Sequence, residues 1–176
     1  LQIKPEIKKI DYYSNNYYLQ IDVASSIDKT RKRQAKNILK LLQKSITKNT
    51  LIIDYGCGKG TFLNVAKSFG YNKLLGVESS EYIANKLDEE FNIIRARVDK
   101  SILMVTNDQI NILLKTKKKL LVALDVLEHF SSDLLEKWLN DILKELEIPR
   151  YLVIKVPSRN GFLFNLAIFL ARFEFA

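Results

Sequence analysis

One stretch of ten residues, 51–60, constrains the fold of this chain more than any other. It reads LIIDYGCGKG, an apolar run that ends at Asp54 and leads into three glycines at alternate positions. The apolar run predicts a buried strand with the acidic residue at its carboxyl end. Gly56, Gly58 and Gly60 predict a tight turn, because glycine adopts positive φ and lets a ligand approach the backbone closely.

A helix is expected directly after this turn. Apolar residues recur with helical spacing along residues 61–69, and Gly70 is a natural C-terminal stop. A strand, a glycine turn and a helix in this order bind nucleotide-like ligands at the edge of a doubly wound sheet. The dinucleotide fingerprint G-x-G-x-x-G would need a glycine where the chain has Thr61, so a pyrophosphate ligand is disfavoured.

A second acidic residue follows the next predicted strand. Residues 73–77 form a short, mainly apolar run, and Glu78 comes directly after it. A carboxylate at the tip of this strand can accept hydrogen bonds from both hydroxyls of a ribose, because it offers two oxygens to two neighbouring donors. The alternative is a capping role at the helix that follows, for which Ser79 or Ser80 can also serve.

Two further strands are predicted in the second half of the chain. Residues 120–124 are apolar throughout, as in a parallel strand buried on both faces, and residues 150–157 form a strand that ends at a proline. Loops that leave the carboxyl ends of such strands form the ligand crevice. Arg159 and Asn160 lie in one of these loops, so they are candidates for holding a substrate, unless they only shape the turn.

Amphipathic spacing predicts helices around these strands. The predicted helices cover residues 30–46, 81–91, 101–116, 131–147 and 161–173. Ser132 or Asp133 is expected to cap the fourth of them.

The strand at 120–124 runs into the sequence DVLEH at residues 125–129. This stretch resembles motif IV of many small-molecule methyltransferases, and the glycine turn with its preceding acid resembles motif I of the same family. The chain is therefore similar to the class I S-adenosyl-L-methionine-dependent methyltransferases. The resemblance implies an α/β fold, a Rossmann-like doubly wound and mainly parallel sheet with helices on both faces.

The resemblance also implies which residues bind the cofactor, S-adenosyl-L-methionine. Asp54 and the glycine turn face its methionine part in the family, and Glu78 faces its ribose. An acidic residue after the third strand, which is predicted at residues 91–94, faces its adenine. Asp99 is the nearest residue for that last role, although the sequence around it departs from the usual pattern and a surface aspartate is the alternative. The predicted cofactor-binding residues are Asp54, Gly56, Cys57, Gly58, Gly60, Glu78, Ser79, Asp99 and Asp125.

The methyl group of this cofactor is already activated by its sulfonium, so the protein mainly has to place a nucleophile in line with it. For a hydroxyl acceptor, His129, the single histidine, is the candidate catalytic base, unless Glu128 and His129 only begin the next helix. Asp125, Glu128 and His129 also resemble the E-x-x-E-H ligands of metal-dependent relatives, which would suit Mg²⁺. The main expectation is no metal, because related RNA enzymes recruit a further histidine that this chain lacks.

The single cysteine, Cys57, excludes an internal disulfide and a cysteine metal cluster. It lies between two glycines of the turn, where a small side chain fits, so packing is favoured over nucleophilic chemistry. The longest apolar run, at 161–173, is too short to span a bilayer and no secretory leader is evident, which favours a cytoplasmic protein.

Residues 1–29 are predicted to form an N-terminal arm or lid, and residues 30–176 the cofactor-binding domain. A complete class I methyltransferase ends in an antiparallel hairpin of two strands, for which the sequence leaves no residues after the last predicted helix. We therefore expect a domain truncated at its C-terminus, without that hairpin. A further segment or a homodimer partner would then cover the bare edge of the sheet.

The leading function is methylation of a small-molecule, lipid or saccharide acceptor at oxygen. An RNA methyltransferase is the first alternative, favoured by the net charge of +8 alone, and much of that charge lies in runs typical of solvated faces. A non-catalytic module that binds the cofactor or a partner is the second alternative.

Overall fold

The computed structural model describes residues 25–95, 108–145 and 151–156. Several predictions concern residues outside this part of the chain. They are the roles of Asp99, Arg159 and Asn160, the N-terminal arm over residues 1–24 and the helix over 161–173.

Helices and strands alternate along the described chain. The helices are α1 (Ser25–Leu42), α2 (Thr61–Ser68), α3 (Glu81–Leu87), α4 (Asp108–Leu114) and α5 (Ser132–Glu145). The strands are β1 (Leu51–Tyr55), β2 (Leu74–Glu78), β3 (Asn92–Arg95), β4 (Lys119–Leu124) and β5 (Tyr151–Lys155). A short 3₁₀ turn, Leu127–His129, lies between β4 and α5.

The five strands form one sheet in the order β3-β2-β1-β4-β5, and every neighbouring pair is parallel. The strand order reverses between β1 and β4, which is where ligands bind in open α/β sheets. The predicted Rossmann-like fold class is thereby confirmed. Residues 157–176 lie outside the described chain, so the missing hairpin stays a prediction.

The core has two layers, because successive side chains of each strand point to opposite faces of the sheet. Ile52 packs with residues of α1, α2 and α3 on one face, whereas Leu51, Ile53 and Tyr55 pack with α4 and α5 on the other. By the same alternation, Asp54 shares the face of Ile52 and lies on the side of α1 to α3.

Helix α1 crosses the sheet from its carboxyl edge to its amino edge. Near its start, Asp28 accepts a hydrogen bond from Thr61 Oγ1 at 3.3 Å, directly after the glycine turn. Gln34 Oε1 accepts one from Lys155 Nζ at 3.3 Å, at the end of β5. The chain then enters β1 from the opposite edge at Leu51. The first half of α1 therefore lies beside the candidate site.

Several predicted boundaries and caps were wrong. Helix α1 includes residues 25–29, ahead of its predicted start at residue 30, and α3 ends at Leu87 because the chain turns over residues 88–90. The predicted domain boundary between residues 29 and 30 stays a prediction, and it falls inside α1. Helix α5 starts at Ser132, and its first turn is capped by Ser131, whose Oγ accepts the Leu134 N–H at 3.4 Å.

Candidate functional site

The glycine turn follows β1 and is held by hydrogen bonds to β2. Gly56, Gly58 and Gly60 have φ values of 72°, 51° and 70°, in the left-handed region that glycine adopts at little cost. The N–H groups of Gly56 and Cys57 donate to the Val77 carbonyl at 2.9 and 3.1 Å. The turn is thus fastened to β2 by its backbone.

The first two glycines are needed for different reasons. A Cβ on Gly56 would lie 2.8 Å from Val126 Cγ2, so this position is filled by the loop after β4. A Cβ on Gly58 would have no atom of the described chain within 4 Å. Gly58 therefore faces space that the described residues leave open, where a ligand can reach the backbone.

Glu78, at the end of β2, is buried and held by backbone N–H groups. Its Oε2 accepts the Gly58 N–H at 2.9 Å, and its Oε1 accepts the Ser80 N–H at 2.8 Å. The Ser79 hydroxyl also lies 3.5 Å from Oε1. Ser80 occupies the predicted N-cap position of α3, but its side chain makes no capping bond. Glu78 Oε2 therefore keeps a lone pair for a further donor, whereas Oε1 accepts two bonds, the longer of them from Ser79.

Asp54 is the second buried carboxyl group of this edge, with 4% of its surface exposed. Burial, and next the charge of Glu78, raise the pKa of Asp54 to about 7. A cation placed beside it would favour the ionised form. This end of the sheet is therefore suited to a ligand that carries positive charge.

Cys57 is buried between these two acids. Burial, with the charges of Asp54 and Glu78, raises the pKa of its thiol well above the ordinary value. A Cβ on Gly76 would lie 2.8 Å from Cys57 Sγ, so that glycine of β2 makes room for the sulfur. A thiolate nucleophile is disfavoured, and these contacts support the packing role.

The loop after β4 begins with an unusual residue, Asp125, whose φ is 55° although it is not glycine. Its N–H donates to the Lys155 carbonyl at 2.9 Å. Its two carboxylate oxygens accept bonds from Lys155 Nζ at 2.7 and 2.8 Å. Asp125 is therefore paired with a cation of the protein itself.

Glu128 and His129 are exposed and belong to the 3₁₀ turn, separated from α5 by an extended Phe130. Although the Glu128 residue is largely exposed, partial desolvation of its carboxyl group is the main cause that raises its pKa. In the described part of the chain, no three His, Cys, Asp or Glu side chains form a group that could hold a metal ion. The alternative metal site at Asp125, Glu128 and His129 thus has no geometric support.

The structure brings most of the predicted site residues to one edge of the sheet. The residues around the ends of β1 and β2 are Asp54, Gly56, Cys57, Gly58, Gly60, Glu78 and Ser79. The loop with Asp125, Glu128 and His129 meets this group through the contact of Val126 with Gly56. Asp99, Arg159 and Asn160 are outside the described residues.

Sequence reasoning missed Lys155 and Gln34. Lys155 is 5% exposed, and its only sequence signal is a charged residue inside an otherwise apolar strand. It also missed the aromatic cluster on the opposite face, where Trp138 contacts Tyr55 edge-on at 5.2 Å between ring centroids. The Trp138 Nε1 is buried and has no hydrogen-bond partner among the described residues.

Residues 27–169 match the family model described as a methyltransferase domain. The chain belongs to this methyltransferase family. The predicted likeness to the class I S-adenosylmethionine-dependent members is confirmed by the fold together with this match. A search of curated proteins gave no significant match.

Solved methyltransferases share this fold. The magnesium protoporphyrin IX methyltransferase of Synechocystis PCC 6803 with bound SAM is 12% identical, with a TM-score of 0.57 over 85% of this chain and 74% of that one. The plantazolicin methyltransferase BpumL in complex with SAH is 20% identical, with a TM-score of 0.59 over 85% and 56%. A SAM-dependent methyltransferase from Archaeoglobus fulgidus is 20% identical, with a TM-score of 0.55 over 83% and 60%.

The methyltransferase domain thus spans between 56% and 74% of the lengths of these three chains. None of its described helices combines the length and the apolar character needed to cross a membrane.

Proposed function

We propose that this methyltransferase domain binds S-adenosyl-L-methionine at the ends of β1 and β2 and transfers its methyl group to an acceptor. The observation that carries the proposal is the buried Glu78 carboxylate beside the open backbone of Gly58. An acid at the tip of the second strand and a bare glycine turn next to it suit a ribose with its neighbouring groups.

The residues present fit this cofactor. Glu78 Oε2 keeps a lone pair for one ribose hydroxyl, and a second ribose hydroxyl can replace the long Ser79 bond on Oε1. Asp54 offers a buried carboxylate to the cationic methionine part, and the glycine turn lets that part approach. Asp99 is proposed to contact the adenine. Asp125, at the start of the loop after β4, is proposed to border the site. When bound, the cofactor supplies an activated methyl group.

For the acceptor, we propose a small molecule, lipid or saccharide that is methylated at oxygen. His129 lies in the exposed turn at the same edge, and its neutral imidazole can take the proton of a hydroxyl at its ring nitrogen. Arg159 and Asn160, which follow β5, are proposed to hold the acceptor. Two solved structures with this fold are named for magnesium protoporphyrin IX and plantazolicin as the molecules they methylate.

The cellular location, the partners and the competing functions are also proposed. We propose a cytoplasmic protein, with a homodimer partner or a further segment along the edge of the sheet. RNA as the acceptor and a module without turnover are the competing functions. RNA binding would show a steep dependence on salt concentration, because lysine and arginine side chains that bind the phosphates displace their counterions.

The first test is a calorimetric titration of the purified chain with S-adenosyl-L-methionine and with its demethylated product, each with and without Mg²⁺. We expect micromolar binding of both ligands that does not depend on the metal. A sample that is folded by circular dichroism but binds neither ligand would overturn the proposal.

The second test uses a labelled methyl group in an acceptor screen. With a hydroxyl acceptor, His129→Gln should lower kcat by about 10²-fold or more and leave cofactor affinity unchanged, because only the proton transfer is affected. Unchanged kcat in this variant would remove His129 as the base. Tight cofactor binding with no transfer to any acceptor would favour the module without turnover.

A further inference from the structure

Lys155 is a buried lysine at the carboxyl end of β5, in a strand that is otherwise apolar apart from its first residue. We propose that Lys155 is a positioning residue of the cofactor site, acting through Asp125 and Val126 on the glycine turn. The proposal deepens the proposed function, on which its affinity measurement rests.

The ammonium group of Lys155 is buried. The side chains of Lys155 and Asp125 are 6% and 25% exposed, and they form an ion pair at 2.7 Å. A buried charge is costly unless it is paired, and a buried pair is often no more stabilising than apolar residues of the same volume. Stability alone therefore gives little reason for a lysine here.

The ion pair holds an unusual backbone conformation at Asp125. Asp125 and Lys155 are joined twice, by the Asp125 N–H bond to the Lys155 carbonyl and by the ammonium on both carboxylate oxygens. The left-handed φ of 55° at Asp125 is unfavourable for a residue with a Cβ. The ion pair offsets that cost and fixes the direction in which the chain leaves β4.

The direction in which the chain leaves β4 determines where Val126 lies. Val126 comes next in the chain, and its side chain packs so closely on Gly56 that a Cβ there would lie 2.8 Å away. Gly56 in turn begins the glycine turn that Glu78 and Val77 hold. A shift of Asp125 therefore moves Val126 away from the backbone of the turn.

Helix α1 joins the same cluster. Lys155 Nζ also donates to Gln34 at 3.3 Å, while Asp28 of the same helix meets Thr61 on the other side of the glycine turn. Lys155 is thus the point where α1, β5 and the loop after β4 meet.

The test compares two buried lysines at opposite edges of the sheet. Lys119, the first residue of β4, is 3% exposed and lies at the amino edge, away from the site. Lys155→Met should weaken S-adenosyl-L-methionine binding by about tenfold in calorimetry, because Val126 no longer packs in place against Gly56. Lys119→Met should lower the melting temperature and leave this affinity unchanged. If Lys155→Met does not fold, Lys155→Gln is measured instead. It removes the charge but can still donate to Asp125, and the same direction of change in affinity is expected.

A second readout does not depend on cofactor binding. His129 is the only histidine, and its backbone N–H donates to the Val126 carbonyl at 3.2 Å, so a ¹⁵N-histidine label gives one amide signal that reports the loop after β4. We expect this signal to shift in Lys155→Met, to return toward its original position in Lys155→Arg and to stay in place in Lys119→Met.

The outcomes separate the two proposals. If the unaltered chain binds no cofactor but the amide signal follows this pattern, the proposed function fails and the positioning of the loop stands. If Lys155→Met binds the cofactor with unchanged affinity, or leaves the amide signal in place, the positioning role is overturned.

Discussion

The two halves of the carboxyl edge use their acids in different ways. At the ends of β1 and β2, Glu78 is held by backbone N–H groups and Asp54 is buried beside it, with no salt bridge to either among the described residues. At the ends of β4 and β5, the Asp125 carboxylate is bound on both oxygens by Lys155. The first half has no cation of the described chain paired with its carboxyl groups, whereas the second uses its carboxylate to hold the loop after β4 to β5.

The largest effect is expected at the glycine turn. Gly58→Val should abolish cofactor binding, a loss of more than about 100-fold in calorimetry, because its side chain enters the open space beside Gly58. Gly70→Val is the matched control, since Gly70 also has positive φ, 83°, but lies at the far end of α2. Binding by Gly58→Val with the original affinity would show that the ligand does not approach this backbone.

A smaller loss is expected from the acid of β2. Glu78→Ala should weaken cofactor binding by about 1–3 kcal/mol, because charge-assisted hydrogen bonds to the ribose are lost. Glu81→Ala, an exposed acid in the first turn of α3, controls for the change in net charge. An equal effect of both substitutions on the dissociation constant would mean that Glu78 acts only through long-range charge.

The pH dependence sharpens the contrast further. With a pKa of about 7, Asp54 ionises only as the pH approaches neutrality, so affinity for the cationic cofactor should rise by up to about tenfold per pH unit below 7 and level off above it. Asp54→Asn should flatten this profile in calorimetry. A profile of the unaltered chain that is already flat between pH 5 and 8 would contradict the assignment.

For the protein without ligand, the Asp54 carboxyl group predicts the opposite trend, a free energy of unfolding that falls as the pH rises. Its pKa in the folded state lies above its ordinary value of 3.8, so the folded state binds more protons between these two values. The free energy of unfolding should therefore fall as the pH rises from 4 to 7, by about 1.4 kcal/mol per pH unit from this group. Comparing denaturant unfolding of the unaltered chain with Asp54→Asn isolates the contribution.

The smallest effect is expected at Cys57. Its thiol is buried and its raised pKa disfavours the thiolate, so a thiol-specific reagent should label the folded chain slowly and the unfolded chain fast. Cys57→Ala should change cofactor affinity by less than about 1 kcal/mol, because packing is its role. Rapid labelling of the folded chain would show that the turn opens at this residue.

The half of the edge built from β1 and β2 could be predicted from the sequence because its features are local. The glycines and the apolar runs specify a turn and two strands within residues 51–78. The partner of Asp125 could not be predicted in this way. Lys155 lies 30 residues further along the chain and Gln34 lies 121 residues before Lys155, so only the parallel sheet brings them together.

Local details were missed for a different physical reason. Ser80 stands where a helix cap is expected, but its N–H binds Glu78 and its side chain makes no capping bond. Asp125 reads as a ligand-facing acid like Asp54, yet a buried lysine binds it. In both places a nearby charged group outweighs the preference of the single residue.

The hydrogen bonds that Glu78 accepts from Gly58 and Ser80 join groups of the protein itself. If the cofactor binds there as proposed, this wall of its pocket is held in place by the chain's own backbone, so binding should cost little conformational entropy at these residues. Spent cofactor can leave and fresh cofactor can enter past this wall without refolding it. We expect slow steps of the catalytic cycle to arise from other parts of the enzyme.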